Sequence, residues 1–123
     1  MSTLENAQEL YQMIGTGQMM EAFEKFYSPD IRMIEATGEI REGKDVNREF
    51  EIQFLSSIKE MHGGGTTAIA VDEQANTTMV ETWMEVTFQD GNRVKMEQIA
   101  RQKWEGNQIV EERFYYNPGA MGG

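Results

Sequence analysis

The chain has 123 residues, 39% of them hydrophobic, no cysteine, one histidine (His62), and 11 Lys and Arg against 21 Asp and Glu, a formal charge of −10. That length suits one domain able to bury about two thirds of its surface without staples, while the missing cysteines exclude disulfides, thiolate zinc sites and cysteine nucleophiles, and a lone histidine excludes a multi-histidine metal site. The acidic balance repels phosphate backbones and anionic lipid surfaces, so neither nucleic acid nor membrane is expected as a partner. No stretch approaches the ~18 apolar residues of a membrane span, and Met1-Ser2-Thr3-Leu4-Glu5 lacks the basic and apolar regions of a leader, which together describe a cytoplasmic domain.

Leu4, Ala7, Tyr11 and Ile14 recur at steps of three and four, the spacing of one helix face. Ser2 and Glu5 stand at capping-box spacing at its start, and Gly15 suits its end. A second helix follows Thr16-Gly17 with Met19, Met20, Phe23, Phe26 and Tyr27 on one side, and Ser28-Pro29-Asp30 stops it because proline cannot continue the backbone ladder. Ile31 to Ala36 is short and rich in branched residues, the pattern of a strand. A third helix is expected from Asp45, a good N-cap, to about Met61, with Val46, Phe50, Phe54, Ile58 and Met61 as its buried face. His62-Gly63-Gly64-Gly65 then ends it in a mobile loop. Strands follow at Thr66 to Asp72, Thr77 to Gln89, Arg93 to Trp104 and Ile109 to Asn117, separated by turns at Ala75-Asn76, Asp90-Gly91-Asn92 and Glu105 to Gln108. No repeat or linker divides the chain, so residues 1–118 read as one domain and the Gly-rich 119–123 as a flexible tail. Three helices followed by a curved antiparallel sheet predict an α+β fold.

By a period of two, Thr82, Met84, Val86 and Phe88 face the helices, and Glu81, Trp83, Glu85 and Thr87 face outwards. Ile99 on the next strand joins Trp83, and two large apolar groups on a solvated face point to a homodimer interface. The ten methionines either fill the core or, as at Met84 and Met96, line a plastic apolar pocket. Glu35 shares one side of its strand with Ile31 and Met33. If that side faces a cavity, low dielectric raises the carboxyl pKa and suits it to proton transfer; if the strand is an edge, Glu35 is simply hydrated. Gln98 and Gln102 fall on the inner face by parity with Met84 and Val86, and buried amides require partners. In the last strand Glu111, Arg113, Tyr115 and Asn117 share one face, and Val110, Glu112, Phe114 and Tyr116 the other. Pairing Trp104 with Ile109 turns the first set inward, apolarity favours the second, and a bulge reverses either.

Three motif matches carry little. Gly38 to Asp45 nearly fits a phosphate-binding loop, but Asp45 stands where a hydroxyl should hold magnesium, and Glu39 and Glu42 repel phosphate. His62-Gly63-Gly64-Gly65 resembles an esterase oxyanion loop with no Gly-x-Ser-x-Gly elbow to serve it. Asn76-Thr77-Thr78 fits a glycosylation pattern that needs secretion.

Gly17 with Met20-Glu21-Ala22, the stop Tyr27-Ser28-Pro29-Asp30, Arg41-Glu42-Gly43, and the closing run Ile109 to Asn117 follow one another in a familiar order. Over residues 4 to 118 the chain resembles the nuclear transport factor 2-like superfamily, and within it the SnoaL-like branch of polyketide cyclases and ketosteroid isomerases. The resemblance implies a cystatin-like cone, with three helices on a strongly curved sheet enclosing a pocket. It places the isomerases' catalytic carboxylate on Glu35. Their oxyanion-hole positions fall on Leu10, with Tyr11 beside it, and near Ala100, so that hole is not reproduced. Many cyclases end in Tyr-x-Asp; here Tyr115-Tyr116-Asn117 ends in an amide that orients a ligand without exchanging protons.

The expected activity is proton transfer beside the carbonyl of a small apolar molecule, as in an isomerase, cyclase or dehydratase. Glu35 is the expected base, with Gln98, Tyr115 and Asn117 directed at the oxyanion. Tyr11, Met84, Val86, Phe88 and Met96 are expected to line the pocket. No cofactor or metal is implied. The alternative is a non-catalytic ligand-binding or dimeric interaction module of the same fold.

Overall fold

The computed structural model describes residues 2–119. In chain order it contains α1 (Thr3–Gly15), α2 (Met19–Phe26), β1 (Tyr27–Ile34), β2 (Ile40–Glu42), α3 (Lys44–Ser56), β3 (Ile58–Asp72), β4 (Thr77–Phe88), β5 (Arg93–Glu105) and β6 (Gln108–Tyr115). The strands form one open six-stranded sheet in the order β2-β1-β6-β5-β4-β3. This is the expected α+β architecture with one correction: the sheet is mixed. The last strand re-enters between β5 and β1, antiparallel to β5 but parallel to β1.

The helices lie against one face of the sheet, and the core joins α1, α2, β1, β5 and β6 through Leu10, Phe23, Phe26, Ile31, Trp104 and Ile109. Phe26 meets Trp104 edge-on at 6.0 Å. Each such side chain contributes about 1.5–3 kcal/mol by leaving water. The capping box at the start of α1 is present in both directions, with Glu5 N–H donating to Ser2 Oγ and Ser2 N–H to Glu5 Oε1. No helix among the described residues is long and apolar enough to cross a membrane.

Several boundaries differ from expectation. Tyr27 to Asp30 already belong to β1, because α2 ends at Phe26 before the proline is reached. Pro29 is tolerated in the strand because the ladder to β6 is interrupted between Tyr27 and Arg32, so its missing N–H leaves no pairing unmet. Glu35 and Ala36 lie just past β1, in the turn to β2, where Glu35 N–H donates to Glu39 O at 2.9 Å.

Helix α3 shows the largest departure. Its N-cap is Gly43, at φ +94°, and Asp45 sits in the first turn, paired with Arg48. It stops at Ser56, so Ile58 and Met61 are strand residues. Val46 and Phe50, expected inside, are 54% and 39% exposed, while Asn47 is completely buried. The cause is the β2–α3 corner. Asn47 Nδ2 donates to Arg41 O and Gly43 O at 3.1 and 2.9 Å, and Arg41 Nε donates to Asn47 Oδ1 at 3.1 Å. Satisfying these buried polar groups outweighs the apolar stripe and sets the helix rotation.

His62 to Gly65 is not a loop but part of β3. The glycines make room for Trp83 on the paired strand: a Cβ at Gly63 would stand 3.0 Å from Trp83 Cη2, and one at Gly65 would stand 3.2 Å from Nε1. The Trp83 ring therefore lies along the glycines, with Lys95 Nζ 5.3 Å from its centroid.

Candidate functional site

Register across the sheet brings together residues distant in sequence. Arg41 on β2 pairs with Met33 on β1, Met33 with Glu112 on β6, Glu112 with Gln102 on β5, and Gln102 with Thr78 on β4. Directly paired residues point to the same face. One row of mostly polar side chains thus crosses five strands beneath the helices. The inner set of β6 is Glu112 and Phe114; Arg113 and Tyr115 face out, which resolves the parity left open by the sequence.

The centre of the row is closed. Trp104 Nε1 donates to Thr78 Oγ1 at 2.9 Å, and Thr78 Oγ1 donates to Gln102 Oε1 at 2.7 Å. Gln102 Nε2 donates to Tyr11 Oη and to Glu112 Oε2, both at 2.7 Å, and Tyr27 Oη donates to Glu112 Oε1 at 2.7 Å. Glu112 is 2% exposed. Burial pushes its carboxyl up to about 7; the bonds from Gln102 and Tyr27 oppose the shift, and the charges of Glu51 and Glu35 add to it. Burial beside Glu112 likewise pushes the Tyr11 and Tyr27 phenols up, so both remain protonated and Tyr27 stays the donor to Glu112.

The β2 end is more open. Arg41 Nη2 donates to Glu35 Oε1 at 2.7 Å, and Tyr116 Oη donates to Glu35 Oε2 at 2.6 Å. Burial and then the bond to Glu35 push the Tyr116 phenol up to about 12. Glu35 is therefore an inward, 14% exposed carboxylate held at both oxygens, and β2 covers the strand edge that would have hydrated it. The Phe50 ring centroid lies 3.5 Å from Arg41 Cζ. Arg41 Nη1 is buried with no hydrogen-bond partner among the described residues. An orphaned donor of this kind costs on the order of 1–3 kcal/mol.

Glu51 completes the group. It stands one turn beyond Asn47 on the inward row of α3, half-buried, with no hydrogen-bond partner among the described residues. Burial pushes its carboxyl up to about 7; Arg41 lowers it and Glu35 raises it, which places both charges within electrostatic reach. A carboxyl near 7 with free lone pairs can take or give a proton at neutral pH.

Of the residues expected at the site, Glu35 and Tyr11 belong to this arrangement, joined by Gln102, Glu112 and Tyr116 from the inner sheet face and the chain beyond it. Met84 and Met96 pair on the same face further along the sheet, Val86 is fully buried, Gln98 is half-buried opposite Thr82, and Phe88 meets Phe54 edge-on at 6.3 Å. Tyr115 is not brought to the group: it pairs with Ile99 on the outer face and is 45% exposed. Asn117 lies beyond β6, exposed, its Oδ1 accepting from Gly119 N–H. Sequence reasoning missed Glu51, Tyr27 and the role of Arg41. The available signal was the spacing of Asn47, Glu51 and Phe54, a helical row masked by the stronger stripe of Val46, Phe50 and Phe54.

Among the described residues, two surface depressions bear on the site. One of about 450 Å³ lies on the outer sheet face among Thr67, Glu81, Trp83, Lys95, Ile99 and Tyr115. The other, of about 480 Å³, is formed by Arg41 with Asp45, Val46, Glu49, Phe50 and Gln53.

An open mixed sheet with three helices on one face is the fold that this chain shares with nuclear transport factor 2-like structures. Residues 1–116 match the SnoaL-like domain family, and the chain belongs to it. Among solved structures, a Mesorhizobium loti protein provisionally assigned as a SnoaL-like polyketide cyclase is 28% identical, with a TM-score of 0.81 over 94% of this chain and 100% of that one. A provisionally assigned isomerase from Bacillus subtilis shares the fold at 14% identity and TM-score 0.79, over 96% and 88% of the two chains. So does a nuclear transport factor 2-like protein of unknown function from Burkholderia pseudomallei, at 16% identity and TM-score 0.75, over 95% and 92%. Comparison with curated proteins finds no match.

Proposed function

We propose that the protein is an enzyme that moves a proton on carbon beside a carbonyl, in an isomerisation, cyclisation or dehydration of a small molecule. The observation that carries this reading is Glu51: a half-buried carboxyl near 7, unpartnered, beside a guanidinium with a spare donor. Glu51 takes the proton from carbon. The charge that develops on the carbonyl oxygen is met by Arg41, whose position is fixed by Glu35 and Asn47. Glu35 thus acts as the carboxylate that orients Arg41 and receives the Tyr116 proton donor. Glu112, with all its bonds satisfied, supports the row from behind. The ligand reaches Arg41 through the depression it forms with Val46, Glu49, Phe50 and Gln53, while Met84, Val86, Phe88, Met96 and Gln98 lie further along the sheet, where the resemblance implied the wall of a cone-like pocket. Kinship with provisionally assigned cyclases and isomerases supports the reaction class.

The test is exchange of α-deuterium from a panel of enolisable ketones, followed by proton NMR. Exchange that disappears in Glu51→Gln and falls in Glu35→Gln, with both variants folded, is expected. Exchange unaffected by Glu51→Gln removes the assignment.

A second reading is a non-catalytic binding module, favoured by Asn117, which stands outside the site and whose amide is neither acid nor base near neutral pH. It predicts a ligand released unchanged and held equally well by Glu51→Gln. Either reading accommodates a homodimer through the outer face, where Met79, Ile99 and Tyr115 are 48%, 39% and 45% exposed around Trp83. A cytoplasmic location fits both.

A further inference from the structure

Arg41 keeps a donor whose hydrogen-bonding capacity is not used up among the described residues. Its Nε is held by Asn47, its Nη2 by Glu35 with Met33 Sδ at 3.9 Å, and its Nη1 by nothing among the described residues. The side chain is 93% buried, since only 7% remains exposed. A guanidinium cannot lose its charge to escape this, so an unfilled donor there calls for an oxygen acceptor. Arg41 also forms part of the depression floored by Val46 and Phe50, both substantially exposed although apolar. The Phe50 ring centroid lies 3.5 Å from the guanidinium carbon, and Phe50 itself is 39% exposed. An anchor of positive charge, a flat aromatic neighbour and a volume of about 480 Å³ thus coincide at one place.

We infer that Arg41 Nη1 is the anchor for a carboxylate, and that the substrate is a small planar or aromatic acid lying against Phe50. The inference rests on the proton-transfer reading and names its substrate class: a carbonyl compound that carries its own carboxylate, with the acidic carbon presented to Glu51. On the rim Asp45 shares Arg48 with Glu24, and Glu49 is the second rim acid. Arg41 already pairs with Glu35 at 2.7 Å, so what Nη1 offers a ligand is an unfilled charged donor rather than spare net charge.

The probes are phenylpyruvate, which has a carboxylate beside an enolisable carbonyl, and phenylacetone, its uncharged counterpart. Binding is read from the Arg41 Nε–Hε cross-peak in a nitrogen–proton NMR titration, assigned with Arg41→Lys, while α-proton exchange is followed in the same samples. Phenylpyruvate is expected to shift the Arg41 signal saturably and to bind at least about ten-fold more tightly than phenylacetone, the scale of one charge-assisted hydrogen bond. Phe50→Ala, altered only on the exposed side of α3, should weaken both probes and keep their ratio. An Arg41 signal that does not move with phenylpyruvate, or equal affinity for the two probes, overturns the anchor. The two claims separate cleanly. Exchange of phenylacetone without preference for the acid removes the anchor and leaves the proton-transfer reading standing. Saturable binding of the acid at Arg41 with no exchange of either probe keeps the anchor and removes that reading.

Discussion

Glu112 supplies a test in which the sign is unusual. Its carboxyl is held near 7 in the folded chain, against an ordinary value of 4.5, chiefly because it is buried. A folded-state pKa above the unfolded one means that the folded protein holds more protons between these limits. Stability therefore grows as the pH falls through 7 and is fully gained below 4.5, the reverse of the usual acid denaturation. The gap of roughly 2.5 units, at about 1.4 kcal/mol per unit, amounts to about 3 kcal/mol. The carboxylates held low by their partners, Glu24 beside Arg48 and Glu85 beside Arg93, lose their contribution only below that window. Glu112→Gln removes the titration and keeps the shape: the amide oxygen accepts from Gln102, and the amide donates to Tyr27 once that hydroxyl turns. Urea unfolding at half-unit steps from pH 5 to 8.5 should show the native protein gaining stability on acidification. The variant should be the more stable of the two above pH 7 by up to about 3 kcal/mol, with the difference closing towards pH 5. Parallel pH profiles for the two proteins would refute the argument.

Asn47→Ala removes three buried hydrogen bonds at the β2–α3 corner and should cost about 2–4 kcal/mol, read as a lower urea midpoint. A loss below about 0.5 kcal/mol would show that the corner does not set the helix. Gly65→Val pushes a side chain into Trp83 and should cost about 1–3 kcal/mol, with a shift in tryptophan emission; an unchanged spectrum would contradict the close approach. If the outer face pairs two copies, Ile99→Lys should turn a sedimenting dimer into a monomer while leaving the circular dichroism intact. An unchanged sedimentation coefficient would place any association elsewhere.

The fold was legible because several signals agreed. The capping box at Ser2 and Glu5, the Asp90-Gly91-Asn92 turn and the alternation from Thr77 to Phe88 each correspond to observed structure. Errors arose where a tertiary contact overrode a local rule. Gly63 to Gly65 read as a flexible loop until the bulk of Trp83 was placed against them. Pro29 read as a helix stop although the ladder had a gap to receive it. The site was half legible. Glu35 could be found from its strand parity and its place in the family pattern, but Glu51 could not. Its inward direction depends on Asn47 bonding the backbone of Arg41 and Gly43, a contact that helical periodicity does not encode. Glu112 was set by the bulge between Lys103 and Trp104, which decides the parity of β6.

The proposed proton transfer requires that carboxyls beneath the helices hold and release protons near neutrality, with Glu51 as the one free to exchange. A carboxyl-carbon NMR titration of the free protein, with Glu51→Gln and Glu112→Gln used for assignment, measures this directly. Midpoints of about 7 are expected for both residues. A Glu51 midpoint at the ordinary glutamate value would contradict that proton transfer and leave Arg41 without a base beside it.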